Sequence, residues 1–386
     1  MNRFLAMVGV VVCLLATVAQ APAAGPEPLW SVNLGDKKDS VATVYWLGFS
    51  PDGRHLAAFH EVRQDIRFTD GYLRTWLVKT WEEAPRRPLG RAACSDLPPG
   101  PPGAFTGQSQ LIIPGFFLAP ASVNLNDNAP AARVPQAQPL DREGSTWRPV
   151  GIWATANSKA YFLLNFDSMG FLDDHLGARA QLSRWPAPPA APPREVNCLL
   201  QIKEKRILRV ADISPDGTKF AMATRKTSGT EDSGNLLELQ EILTGPQLEL
   251  KPLAQVEQPH LGGISVLRFS TDSRVLASGS ADGTVKLWDV AAVDGKWKER
   301  ATITGPKFTV SSIAFQPNGK VVAFGTYDQT IPSVWFVDVA TGKVLRSFIE
   351  AGGVTAMGFS PDGKRLATAS MKSIKVWDVE KLLRGE

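Results

Sequence analysis

Little in these 386 residues is chemically reactive. There are three cysteines and four histidines, and the histidines, at 55, 60, 175 and 260, are not clustered with other ligand types. Metal sites need converging ligands, so a resident zinc ion is not expected, and the expected cofactor complement is none. Charge of one sign is also missing. Forty-two basic against 38 acidic residues leave +4, too mild a balance for a nucleic-acid or anionic-membrane surface. No glycine-rich loop ends in Lys-Ser or Lys-Thr, and no nucleophile-elbow pattern occurs. Beyond residue 23 no apolar run is long enough to cross a bilayer, which takes about 20 residues. The one long run, Phe4 to Val18, follows Arg3 and precedes Ala21-Pro22-Ala23. That order predicts a cleaved secretory signal over 1–23. It places the mature chain in a periplasmic or extracellular setting, with no membrane span after cleavage. Cys13 leaves with the signal. Cys94 and Cys198 are read as two buried free thiols, with a disulfide as the alternative.

What is present is repetition. Gly358–Ser370 reads GFSPDGKRLATAS and is followed by IKVWDV. Related stretches begin at Gly48, Asp212, Arg268 and Ala314, and weaker ones at Phe105 and Ile152. An apolar strand ends at an anchor in each copy: Phe49, Phe105, Trp153, Ile213, Phe269, Phe315 and Phe359. The stronger copies continue with a Pro-Asp-Gly type turn, in which glycine supplies a positive φ. A small apolar strand and an alternating strand such as TVKLWDV come next. One such unit cannot bury both of its faces, whereas radial stacking against neighbours buries both.

These residues resemble the WD-repeat (G-beta-like) family. The resemblance is strongest in the last three copies and the first, and poorest between Gly90 and Arg194. It covers most of residues 29–380, and true Trp-Asp pairs stand at Trp288-Asp289 and Trp377-Asp378. It implies an all-β, seven-bladed β-propeller over 29–380, and the short signal ahead of a lone propeller is read as an exported bacterial type. The ring would be closed by the alternating segment Trp30–Leu34 beside the last blade. It also implies that His260, Ser278, Asp282 and Trp288 form a hydrogen-bonded structural tetrad rather than a hydrolytic triad, because a self-satisfied buried polar chain is a packing device.

The function expected is a non-catalytic scaffold for an unidentified protein partner. The alternative is a lactonase-like propeller hydrolase with a metal in the central channel, its candidate residues being Asp65, Asp70, Asp173, Asp174, His175 and Glu231. The oxygen-rich run Asn124, Asn126, Asp127 and Asn128 reads as an Asx turn rather than a calcium loop. The copies at Phe49, Trp153 and Ile213 carry extra length between their second and third strands, on one face of the disc. Insertions on one face mark a binding face. The candidate protein-binding residues are Arg63, Arg67, Phe68 and Tyr72 in the first copy. The loop Asn165–Arg179 adds Phe166, Met169, Phe171 and Leu172, and the next copy adds Arg225 and Lys226.

Overall fold

In the computed structural model, the repeating turn is closed by its own side chains. After Phe359, the Ser360 hydroxyl donates to Asp362 at 2.5 Å and accepts from the Arg365 amide at 2.9 Å. Asp362 in turn accepts from the Lys364 amide at 3.0 Å. The same circuit follows Phe49 through Ser50 and Asp52, Ile213 through Ser214 and Asp216, and Phe269 through Ser270 and Asp272. Gly53, Gly217, Gly319 and Gly363 take positive φ at the same point of the turn, and Ser273 takes φ 61° in the fifth copy. Such a turn reverses the chain into an antiparallel neighbour without leaving a buried backbone group unpaired.

The structure describes residues 26–34, 42–63, 68–93, 103–113, 121–127, 132–133, 147–157, 160–167, 179–186, 196–202, 206–226, 234–293, 296–327, 333–371 and 373–386. They form seven four-stranded antiparallel sheets. Blade 1 is β2 (Ala42–Phe49), β3 (His55–Arg63), β4 (Phe68–Leu77) and β5 (Arg87–Ala93). Blade 2 is β6 (Ala104–Phe105), β7 (Gln110–Ile113), β8 (Ala121–Asn124) and β9 (Ala132–Arg133). Blade 3 is β10 (Trp147–Ala154), β11 (Ala160–Asp167), β12 (Arg179–Pro186) and β13 (Val196–Gln201). Blade 4 is β14 (Arg206–Ile213), β15 (Lys219–Lys226), β16 (Leu236–Thr244) and β17 (Leu248–Glu257). Blade 5 is β18 (Ile264–Phe269), β19 (Val275–Ser280), β20 (Val285–Val293) and β21 (Lys296–Ile303). Blade 6 is β22 (Val310–Phe315), β23 (Val321–Thr326), β24 (Val334–Asp338) and β25 (Val344–Phe348). Blade 7 joins β26 (Ala356–Phe359), β27 (Arg365–Ala369) and β28 (Ser373–Asp378) to β1 (Trp30–Asn33). A short helix, α1 (Val379–Arg384), ends the chain.

The core is distributed between blades. Separate apolar clusters fill the gaps 1/2, 2/3, 3/4, 4/5, 5/6, 6/7 and 7/1. Each blade is therefore stabilised mainly by its two neighbours, as in other repeat architectures, and the ring must close for the first and last blades to be covered. Closure is by β1, which pairs antiparallel with β28 in the register Trp30↔Val376 and Val32↔Ile374. Trp30 stacks on Trp81 at 4.7 Å and meets Trp76 edge-on at 5.6 Å, so the latch reaches into blade 1. The expected ring of seven blades closed by Trp30–Leu34 is the fold observed.

One register differs from the sequence expectation, and two blades fill the Trp-Asp place with other residues. In blade 3 Thr155 closes the turn onto Ala160, which makes Ala154 the equivalent of Phe269 and moves Trp153 one step earlier. In blade 6 Val337 pairs with Val322 as Trp288 pairs with Leu276, so Val337-Asp338 takes the Trp-Asp place and Trp335 lies two residues before it. In blade 4 Gln240, opposite Phe220, takes that place. The predicted signal over 1–23 lies outside the described residues, as does Cys94. Cys198 is a free thiol whose pKa burial pushes up to about 11.

Candidate interaction face

In a four-stranded meander, the connection from the second to the third strand leaves at the same end as the connection from the fourth strand to the next blade. Across blades 5 to 7 these connections expose large apolar side chains. Leu261, Phe308 and Ile349 stand between blades, and Tyr327 and Met371 stand between second and third strands. Leu261 is 86% exposed. The other exposed large apolar residues among those described are Leu29, Leu77, Leu243, Val344 and Leu345. They sit at the opposite end of the sheets or on outer strands.

Leu261 faces outward because its neighbours hold the backbone. The Asp282 carboxylate accepts from the Leu261 amide at 2.8 Å and the Gly262 amide at 3.2 Å. A Cβ on Gly262 would stand 2.7 Å from the Asp282 amide nitrogen, so only glycine fits there. Beneath this turn His260 points inward and is 3% exposed. Its Nε2 lies 2.7 Å from the Ser278 hydroxyl, which also accepts from Trp288 Nε1 at 2.9 Å. Its Nδ1 lies 2.7 Å from the Thr284 hydroxyl, which donates to Asp282 at 2.6 Å. His260 and Asp282 themselves are 3.9 Å apart. The chain is thus five residues long, and Thr284 is the member the sequence reading omitted. Its signal was present as a hydroxyl two residues after the turn aspartate.

The donors run in one direction. Trp288 donates to Ser278, Ser278 to Nε2, Nδ1–H to Thr284, and Thr284 to the carboxylate. This order requires the neutral imidazole protonated on Nδ1. Burial pushes the His260 pKa down to about 4. For Asp282, burial works upward, and the bonds from Thr284 and from the Gly262 amide outweigh it, leaving the carboxyl below its ordinary value. A neutral histidine with both ring nitrogens engaged by buried or half-buried hydroxyls, and a serine already accepting from tryptophan, leave no unengaged nucleophile in the set.

The structure places the other sequence candidates unevenly. Arg63 ends β3 and Phe68 begins β4, and Tyr72 lies within β4, paired with His60 and stacked on its ring at 5.6 Å. The expected first-blade loop is therefore mostly a longer strand hairpin, and Tyr72 is a half-buried ladder residue rather than a loop side chain. Phe166 belongs to β11, opposite Ala180. Arg225 and Lys226 end β15, with Lys226 exposed. Arg67, Met169, Phe171 and Leu172 lie outside the described residues. The same is true of Asp65, Asp173, Asp174, His175 and Glu231, while Asp70 lies in β4. His55 and His60 are buried in β3. Asn124 donates to Asp127 at 2.8 Å and accepts from the Asn126 amide at 3.0 Å. Arg87 takes the Asn124 and Asp127 carbonyls, so these oxygens are spent on protein donors, and Asn128 lies outside the described residues.

Seven radial four-stranded sheets with one strand borrowed from the far end of the chain define a β-propeller. The family described as "WD domain, G-beta repeat" matches residues 251–289, 297–331 and 342–378. The first of these spans the outer strand β17 and then β18, β19 and β20, so a sequence repeat straddles two blades. The small ribosomal subunit protein RACK1y of Oryza sativa subsp. japonica is 32% identical over 126 residues, 32% of this chain and 35% of that protein. Cleavage stimulation factor subunit 50 of Arabidopsis thaliana is 26% identical over 182 residues, 46% of this chain and 41% of that protein. The matches thus span well under half of these relatives. The β-propeller domain of Cps50 (Swd1) from Myceliophteria thermophila superposes with a TM-score of 0.62 at 14% identity, covering 92% of this chain and 99% of that one. The repeat match and the relatives support a WD40-repeat β-propeller, carried by residues 251–378, and the structural likeness extends the fold to the whole ring. These relatives are plant proteins and that structure is fungal, so they lend no support to an exported bacterial type.

Proposed function

We propose that this protein is a non-catalytic scaffold that docks a partner protein on the face formed by the second-to-third strand and blade-to-blade connections. The observation that carries the reading is the set of exposed apolar side chains Leu261, Phe308, Tyr327, Ile349 and Met371 on one face of three adjacent blades. Leu261, whose backbone Asp282 holds, loses little conformational freedom on binding, and aromatic residues and Met, such as Phe308, Tyr327 and Met371, are enriched at the cores of protein interfaces. Arg63, Phe68, Phe166, Arg225 and Lys226 lie at that end of their strands in blades 1, 3 and 4, which would extend the surface around the ring. The relatives' names, a ribosomal subunit protein and a subunit of a cleavage stimulation factor, are those of parts of larger assemblies.

The test is a paired measurement on Leu261→Asp/Ile349→Asp. Melting temperature unchanged with loss of a crosslinked partner supports the face, and undiminished crosslinking overturns it. Export is a separate part of the proposal. It rests on Arg3, the apolar run Phe4–Val18 and Ala21-Pro22-Ala23. N-terminal sequencing of the natural protein should begin near Ala24, and an intact Met1 would refute cleavage.

A further inference from the structure

The opposite end of the channel carries a different chemistry. The residue before each anchor occupies one register position on the innermost strands: Gly48, Ala104, Trp153, Asp212, Arg268, Ala314 and Gly358. Four of these are the smallest side chains available, and three consecutive blades supply Trp, Asp and Arg. The result is a one-sided pocket of about 320 Å³ beside the anchor-turn mouth. Its apolar walls are Trp46, Phe105, Ile152, Trp153, Pro215 and Phe269, with Trp46 and Phe105 in ring contact at 5.7 Å.

Within it Asp212 and Arg268 form an ion pair at 3.4 Å, and the two members are exposed unequally. Asp212 is 1% exposed. It accepts from Trp153 Nε1 at 2.8 Å and the Phe269 amide at 2.7 Å besides Arg268. Its oxygens are therefore occupied in tying blades 3, 4 and 5 together. The Arg268 side chain is 36% exposed. Among the described residues only its Nη1 has an acceptor, and at long range. A guanidinium carries five donors, so most remain for a ligand. A molecule entering the pocket meets the cation, because the anion is buried behind it.

We propose that this pocket binds a carboxylate carried on a small apolar body. Arg268 takes the carboxylate, and Trp46, Phe105 and Trp153 surround the body. Planar bidentate recognition is the geometry in which arginine binds carboxylates best. The size suits a body of one aromatic ring or a branched aliphatic chain, at the small end of known ligand cavities. A free hydrophobic acid and a chain terminus ending in an apolar residue offer the same group. The site is independent of the proposed partner face, which lies at the other end of the sheets.

The test uses the whole protein and the intrinsic fluorescence of its tryptophans, checked by calorimetry. The probes are 3-phenylpropionate, its neutral amide 3-phenylpropanamide, and a tetrapeptide ending in phenylalanine with a free carboxylate. The expected result is saturable binding of at least one acid, about tenfold tighter than the amide, as one charge-assisted contact requires. Arg268→Gln should bring the acid down to the affinity of the amide. Binding of acid and amide with equal affinity overturns the proposal, and so does the absence of saturable binding by either acid. Should Arg268→Gln lower the melting temperature by exposing Asp212, Arg268→Lys keeps the charge and loses the fork. It is expected to bind the acid at an affinity between those of the native protein and the amide level, and full native affinity would count against a guanidinium contact. Preference for the tetrapeptide over 3-phenylpropionate assigns the site to chain termini and the reverse assigns it to free acids, both upholding a carboxylate site.

Discussion

Blades 5, 6 and 7 solve one packing problem in three ways. At the position of His260, blade 6 has Pro306 and blade 7 has Glu350, by constant offset from the anchors Phe269, Phe315 and Phe359. Blade 5 fills the space with the polar chain that ends on Asp282. Blade 6 uses Phe324 and Val337 where blade 5 has Ser278 and Trp288, and Trp335 stacks on Phe324 at 5.9 Å. Blade 7 keeps only the inner link, Trp377 Nε1 to Thr368 at 2.8 Å. Its Glu350 turns to Lys375 at 2.7 Å and leaves one buried oxygen without a partner. The anchor, turn and Gly or Ala on the second strand are common to all three. The fold therefore depends on shape and strand pairing, and the polar chain is one interchangeable filling among others.

The comparison is broken most severely by removing what blade 7 borrows. Deleting residues 24–36 takes away β1 and the buried Leu34. With Trp30 and Val32 also lost, the apolar term is on the order of 5 kcal/mol, or roughly 5–10 °C in melting temperature for a chain of this size. An open β28 edge should also promote association. Unchanged melting would show that closure contributes nothing.

Acid should next separate blade 5 from blade 7. His260 has a folded pKa of about 4 against 6.5 unfolded. The unfolded chain binds the extra proton between these values, so stability is lost as pH falls from 6.5 towards 4, by about 3 kcal/mol. Glu350 has the opposite sign. Burial raises its pKa more than Lys375 lowers it, so its contribution improves as pH falls towards its unfolded value of 4.5. Denaturant titrations at pH 7 and pH 4.5 on His260→Gln and Glu350→Gln should show the two slopes changing in opposite directions. Parallel changes would refute the assignment.

Asp282→Ala should cost about 1–3 kcal/mol, because Thr284, Leu261 and Gly262 lose their acceptor. Chemical denaturation measures it, and loss of a binding activity with full stability retained would revive a functional role for the chain. The smallest effect is expected at Ser273→Gly. The change relieves a left-handed conformation worth about 1 kcal/mol and removes a 3.2 Å bond from the Asp216 amide. A net shift within about 1 kcal/mol is expected, and a loss of several would mean that the blade 4 to blade 5 contact dominates.

The ring could be read in the sequence because the turns of blades 1, 4, 5 and 7 carry their own closing set. Ser360 and Asp362 need no tertiary partner to form their circuit, so the pattern survives where anchors drift. In blade 3 the structural anchor lies one residue after the one the sequence suggests, for the complementary reason. Trp153 looks like an anchor, but the turn is closed by Thr155, and the tryptophan is drawn to the channel by Asp212, 59 positions later. In blade 6 the sequence leaves the register open, since Asp338 comes three positions after Trp335, and Val337 holds the place beside it. The apolar face was legible only as an expected location. That Leu261 points outward depends on Asp282 holding two backbone amides across 20 residues, a contact that residue spacing does not reveal.

The latch also sets how the disc is presented. The chain enters β1 at Trp30, opposite Val376, and leaves β28 at Asp378, which caps α1 by accepting from the Lys381 amide at 3.0 Å. Entry and exit therefore lie at the end of the sheets that carries the anchor turns and the Arg268 pocket. The face bearing Leu261 and Ile349 is at the other end. Anything that holds the protein by either strand behaves as a stalk beneath a table, with the apolar surface upward and the channel pocket shaded below. Surface immobilisation through the two routes should then give the same orientation, a geometric convenience for any binding assay on the upper face and an obstacle for one on the pocket.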